Sequence, residues 1–297
     1  MWSGTSVTKR ASDLIGKRVT AEDAGGARRP LAAGLVNDAV VKPGGLWAGI
    51  KVIARTGSTN TALLELARDG AAPEGAVLVA EEQTAGRGRM GRTWVSPPRA
   101  ALTFSVLLRP GGAVPPSRLG WLPLLAGVAV ATAVETVTGL RARLKWPNDV
   151  LIGDRKLAGI LAEQSGGAVV AGIGINVSTA PEELPPPGPG ALRPTSLSIE
   201  GAASAAREPL LIEVLTGLER WYAAFRADPD PERNGLRAEY ARLCETLGRA
   251  VRVELPAGGL LAGVAEGVDT DGRLLVRGPA QSPIPVAAGD VVHLRQS

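Results

Sequence analysis

The chain has 297 residues, of which 45% are hydrophobic and 21% charged. That is enough apolar material for the core of one large or two ordinary domains, and too much for a chain disordered as a whole. The net charge of +4 raises the question of an anionic partner, although acids and bases interleave almost everywhere. One cysteine, Cys244, excludes an intrachain disulfide and a cysteine-rich zinc site. The one histidine, His293, lies in an apolar run and reads as a strand residue, so the chemistry must run on Lys, Arg, Asp, Asn and backbone groups.

Residues 1–27 are polar, rich in Gly and Ala and without periodicity, and read as a flexible extension. Lys9 and Arg10 are followed by no apolar run, so no secretory signal is readable. Residues 30–41 predict a short helix opened by Pro30 and stopped by Pro43-Gly44-Gly45. A strand at 50–54 precedes Ser58-Thr59-Asn60. Leu63, Leu64, Leu66 and Ala67 then mark a helix ending at Gly70, with Ser58 or Thr59 as its N-cap. Strands follow at 76–81 and 101–108. The apolar stretch 121–134 reads as too short to span a bilayer and as part of a buried helix over 117–137. Residues 140–144 lead into Lys145-Trp146-Pro147-Asn148-Asp149, and 150–152 with 157–161 predict a hairpin about Gly153-Asp154-Arg155-Lys156. Residues 168–177 form a further strand, 180–190 a proline-rich loop, and 210–227 and 235–247 two helices. Beyond Arg249 short alternating strands with Gly-rich turns suggest a small separate barrel.

The segment 83–98 holds three glycines, three arginines and Trp94, with neither helical nor strand period. Exposed N–H groups and guanidinium forks both donate to phosphate or carboxylate, so the segment suits a flap over an anionic ligand. A merely solvated basic loop is the plain alternative. Gly86-x-Gly88-x-x-Gly91 imitates a dinucleotide fingerprint, but that motif needs a helix at its third glycine, and here two prolines and a strand follow. Asn148-Asp149 are hard oxygen donors suited to Mg²⁺ on phosphates, or else a simple Asx turn. Lys156 is either solvated or a point charge on a transferring phosphate. Gly172 and Gly174 inside a strand mark close approach of a ligand or another backbone.

In this order and spacing, Gly86-Arg87-Gly88-Arg89 with Gly91-Arg92 and Trp94, Lys145 to Asp149, Arg155 to Ile160, and Gly174-Ile175-Asn176 resemble the biotin–protein ligases. Ser58-Thr59-Asn60 and Gln83 add to the resemblance, which runs from Arg29 to the C-terminus. It implies an α+β fold: a mixed sheet with helices, like the class II aminoacyl-tRNA synthetases, over 28–247, and an SH3-like β-barrel over 248–297. It implies ATP-dependent activation of biotin as biotinyl-5′-AMP, then transfer to a lysine of a biotin carboxyl carrier protein. By that resemblance Lys156 meets the biotin carboxylate and stabilises the α-phosphate, and Arg89 shares the catalytic role. Arg87, Gly88 and Arg89 close over biotin and the adenylate, while Ser58, Thr59, Asn60 and Gln83 bind the ureido end. Arg92, Trp94, Asn148, Asn176 and Arg295 fall on the nucleotide side, and Asp149 is the ligand to Mg²⁺. Residues 1–45 offer at most one short helix, too little for the DNA-binding domain some members carry. The expectation is therefore a cytoplasmic ligase with no DNA or membrane partner. A lipoate–protein ligase-like enzyme and a non-catalytic biotin-responsive regulator are the competing readings.

Overall fold

Val, Ile, Leu and Ala run through seven segments that hydrogen-bond into one sheet: β1 (Gly49–Ile53), β2 (Ala76–Ala80), β3 (Ala101–Leu108), β4 (Ala142–Lys145), β5 (Asp149–Ile152), β6 (Arg155–Ser165) and β7 (Ala168–Asn176). The computed structural model describes residues 28–188, 191–256, 258–279 and 282–294; the extension expected over 1–27 lies outside them. Strand order is β1-β2-β3-β7-β6-β5-β4. Among these seven strands, only β1 and β2 pair in parallel. A parallel pair needs a crossover, and α2 (Thr59–Arg68) supplies it. All eight residues of β3 are buried, as a central strand covered on both faces requires.

The two faces are covered differently. On one, Leu63, Leu64 and Ala67 of α2 pack on Leu78, Leu107 and Val170. On the other lie α1 (Ala33–Val40), α3 (Trp121–Thr138), α4 (Arg207–Ala227) and α5 (Leu236–Leu243), over Val77, Phe104, Val106 and Ile173. The apolar stretch around α3 is longer than its sequence reading: 116–138 is long and apolar enough, by composition, to cross a membrane. It is instead buried between β4–β7 and α4, and a helix covered on both sides is apolar all round. Each buried Leu or Val on it contributes roughly 1.5–3 kcal/mol.

Tertiary contacts move several boundaries. Helix α1 starts at Ala33 rather than Pro30, because acids elsewhere take the preceding amides: Leu31 N–H donates to Glu81 Oε1 at 2.6 Å and Ala32 N–H to Glu208 Oε1 at 3.0 Å. Residues 116–120 wind as a 3-10 turn before α3 begins. Helix α5 stops at Leu243, since the following backbone pairs with Leu144 of β4.

The C-terminal part is a five-stranded antiparallel sheet of β8 (Ala250–Glu254), β9 (Leu260–Val268), β10 (Leu274–Arg277), β11 (Ile284–Val286) and β12 (Asp290–His293), in the order β11-β10-β9-β8-β12. Two tryptophans seat it on the larger sheet. Trp121 Nε1–H donates to the carbonyls of Asp269 (3.2 Å) and Thr270 (3.0 Å), and Trp146 Nε1–H to that of Gly272 (3.2 Å).

Candidate active site

Strand register builds the floor of the site. Thr103 of β3 pairs with Gly174 of β7, Gly174 with Gly159 of β6, and Gly159 with Asp149 of β5. Cross-strand partners share a face, so these four form one row on the side that α2 covers elsewhere. The next row is Ser105, Gly172 and Leu161. Lys156 joins them through a bulge. In unbroken alternation residue 156 would face away from Gly159, but the β5–β6 register shifts so that Val150 meets Ala158 and Leu151 meets Lys156. Leu157 and Ala158 both enter the core behind the sheet, and Lys156 is returned to the site face. Its main chain is held from outside: Lys156 N–H donates to Arg193 O at 2.8 Å and Thr195 N–H to Lys156 O at 2.9 Å.

The start of α2 forms the polar wall. Ser58 occupies the N-cap, yet its side chain makes no capping bond. Gln83 does that work: its Oε1 accepts Thr59 N–H at 2.7 Å and Thr59 Oγ1 at 3.0 Å. Ser105 Oγ donates to Asn60 Oδ1 at 2.6 Å, and Asn60 Nδ2 donates to Leu161 O at 3.0 Å and Glu163 Oε2 at 2.9 Å. A Cβ on Gly172 would lie 2.2 Å from Asn60 Oδ1, so only glycine lets this side chain rest on the sheet.

The glycine- and arginine-rich segment closes over the floor as a short hairpin. Trp94 N–H donates to Gly86 O at 2.9 Å, Gly88 N–H to Arg92 O at 2.7 Å, and Arg87 pairs with Thr93. The tip turns at Met90 (φ 54°) and Gly91 (φ 74°). From this hairpin Trp94 folds down onto the glycine floor. A Cβ on Gly174 would lie 2.4 Å from its indole, and the indole N–H is buried without a hydrogen-bond partner. Arg89 Nη1 donates to Asn148 Oδ1 at 3.2 Å, Arg87 meets Glu163 at 3.0 Å, and Arg92 is ion-paired with Asp290 of β12.

Positive charge gathers at the far end. Lys156 Nζ lies 2.6 Å from Asp149 Oδ1, an ionic contact without an aligned hydrogen bond. Burial pulls the Lys145 ammonium below the ordinary lysine range, with Lys156, Arg92 and Arg89 pushing the same way against Asp149. Burial likewise works against the Arg89 charge, offset in part by Asp149. Such a cluster favours an incoming anion, because its fixed cations already repel one another.

One cleft is lined by Ser58, Thr59, Asn60, Gln83, Arg87, Gly88, Arg89, Arg92, Trp94, Asn148, Asp149 and Lys156. Those twelve sequence candidates therefore come together. Asn176 does not join them: it is buried, and its Nδ2 donates to Thr195 O at 2.8 Å, holding the loop that pairs with Lys156. Arg295 lies outside the described residues. Sequence reasoning missed Thr103, Gly159, Ser105, Glu163 and Asp290. The first four reach the site only through register, for which the alternation of β3 and β6 was the available signal. Among the described residues no group of three or more His, Cys, Asp or Glu could hold a metal ion.

Residues 52–179 match the Biotin/lipoate A/B protein ligase family, and 246–294 match the Biotin protein ligase C terminal domain. A biotin–[acetyl-CoA-carboxylase] ligase of Mycobacterium tuberculosis is 42% identical over 271 residues, covering 90% of this chain and 97% of that protein. One of Paracoccus denitrificans is 38% identical over 247 residues, covering 80% and 98%. The structure of a biotin protein ligase from Aquifex aeolicus in complex with biotin and ATP is similar with a TM-score of 0.69 at 29% identity, covering 83% of this chain and 99% of that one. With relatives of that identity matched along nearly their whole length, this chain belongs to the biotin–protein ligase family.

Proposed function

We propose that the protein is an ATP-dependent biotin–protein ligase. A biotin carboxylate oxygen attacks the α-phosphorus of ATP, the bond from that phosphorus to the β-bridging oxygen breaks, and diphosphate leaves. Biotinyl-5′-AMP stays under the arginine hairpin. A neutral lysine amine of a biotin carboxyl carrier domain then attacks the acyl carbon, AMP departs with the electron pair, and the amine loses its proton.

The observation that carries this reading is Lys156, aimed by its bulge into a cleft with polar groups at one end and arginines at the other. Two anions must be brought together and charge stabilised on the α-phosphate, which calls for fixed cations and no enzyme nucleophile. Lys156 takes that role, with Arg89 beside it. Ser58, Thr59, Asn60 and Gln83 take the ureido end of biotin, and Arg87, Gly88 and Arg89 cover it. Arg92, Trp94 and Asn148 serve the nucleotide, and Arg295 joins them on resemblance alone. Asn176 acts by holding Thr195 rather than by touching the nucleotide. Asp149 would hold the Mg²⁺ that accompanies ATP, with its single carboxylate, and that ion would offset charge on the phosphates. Residues 28–247 form a catalytic domain of class II synthetase type and 248–297 an SH3-like domain, and the enzyme works in the cytoplasm without DNA.

The test is to mix the protein with biotin, MgATP and a carrier domain and to measure carrier mass. The expected gain is one biotinyl group, dependent on both substrates. Equal labelling by lipoate, or no labelling, would overturn the assignment.

A further inference from the structure

Glu163 lies on the site face of β6, two residues beyond Leu161, but does not line the cleft. Both of its carboxylate oxygens are engaged. Oε2 accepts Asn60 Nδ2 at 2.9 Å, and Oε1 lies 3.0 Å from Arg87 Nη2. Its side chain is 21% exposed, whereas that of Arg87 is 51% exposed. The other neighbour of Arg87 is Thr61 Oγ1, at 3.5 Å, too long to fix it. Glu163 is thus the more buried, doubly engaged partner and Arg87 the more exposed one. The carboxylate touches three pieces at once: strand β6, which carries it, the start of α2 through Asn60, and the hairpin that closes over the cleft through Arg87.

We propose that Glu163 is a positioning residue for biotin binding: through Arg87 it latches the hairpin to α2 and fixes the ureido end of the cleft. This rests on the ligase reading. A half-exposed ion pair by itself contributes little to stability, so the effect belongs to ligand binding and not to the fold. The charge matters because Asn60 needs only an acceptor, which an amide oxygen also supplies, whereas Arg87 needs the carboxylate. The pairing also gives the hairpin a closed arrangement at the biotin end that is independent of the phosphate cluster around Lys156.

The test uses the full-length protein and the Glu163→Gln, Arg87→Gln and double variants. Biotin affinity is measured by titration calorimetry, and KM and kcat by diphosphate release. Glu163→Gln should raise KM and Kd for biotin about three- to tenfold, while KM for ATP and kcat at saturating biotin stay within about twofold of wild type. In the Arg87→Gln background the same substitution should add nothing further, since the two residues act as one unit. A biotin KM unchanged by Glu163→Gln, or an effect of the same size without Arg87, overturns the proposal while leaving the ligase reading intact. A variant with a lowered thermal midpoint and equal losses toward both substrates makes Glu163 merely structural and likewise overturns it. A wild-type protein that neither binds biotin nor releases diphosphate overturns the ligase reading, and this proposal with it.

Discussion

At the scale of single residues, Lys156 shows what a sequence conveys and what it withholds. Its neighbourhood in a recognisable motif was legible, but its direction was not, because a bulge between Val150 and Leu151 decides which face it takes. The same limit hid Ser105 and Glu163: only strand pairing brings them to Asn60. Lys156→Ala should lower biotin-dependent diphosphate release by about a hundred- to a thousandfold, the scale of losing a fixed charge at a developing oxyanion. Its side chain is only partly buried, so the thermal midpoint should stay close to wild type. Near-normal release would refute the role. Gly174 gives a second prediction. An added methyl would press on the Trp94 indole at 2.4 Å, a contact that must be relieved by moving the ring off the floor. Gly174→Ala should therefore cost about 1–3 kcal/mol of stability. Trp94→Ala in the same chain should recover most of that loss in urea unfolding, and additive losses would show that the ring does not oppose the methyl.

Elements were more legible than residue directions, since apolar periodicity survives without knowledge of pairing. The exception is β11, where Pro283 and Pro285 interrupt any strand pattern; three residues at a sheet edge tolerate a proline that a central strand would not. The hairpin over the cleft lacks strand period for a related reason. Gly86 is dictated by the Trp94 carbonyl, 2.3 Å from where a Cβ would sit, and not by flexibility alone. The hairpin is tied down at Asn148, Glu163 and Asp290, each on a different element. Loosening the tie at Asn148, the one beside Lys156, should let a reactive intermediate escape. Arg89→Gly removes the Asn148 contact and one charge beside Lys156, so biotinyl-adenylate should leave before meeting its carrier. The measurement is biotin label on lysines of an unrelated protein mixed with enzyme, biotin and MgATP. Labelling no higher than with wild type would count against the hairpin as a lid.

The whole molecule is joined where the small sheet meets the large one, and a titratable group sits in that joint. Thr246 Oγ1 accepts Trp146 N–H at 3.1 Å and lies 3.0 Å from His293 Nε2, so strand β12, the linker and the end of β4 share one hydroxyl. Burial pushes the His293 pKa down to about 4, with Lys145 and Arg249 acting in the same direction. The unfolded chain, with an ordinary histidine, takes up its proton first as pH falls. Stability from this group is therefore fully present above the unfolded value near 6.5, is lost as pH drops toward 4, and changes no further once both states are protonated. The ring is only partly buried, so the loss is roughly 1–2 kcal/mol after allowing for solvent screening. Carboxylates titrate at the lower edge of the same window, so the measurement is a difference. Urea unfolding of wild type and His293→Gln between pH 7 and 4 should give curves that converge as the solution is acidified, because the glutamine variant keeps a partner for Thr246 but has no proton to gain. Because β12 also carries Asp290, the partner of Arg92, acid should open the joint and loosen the hairpin together in wild type, and do so less in the variant. Curves that run parallel across the whole range would remove His293 from the joint's pH dependence.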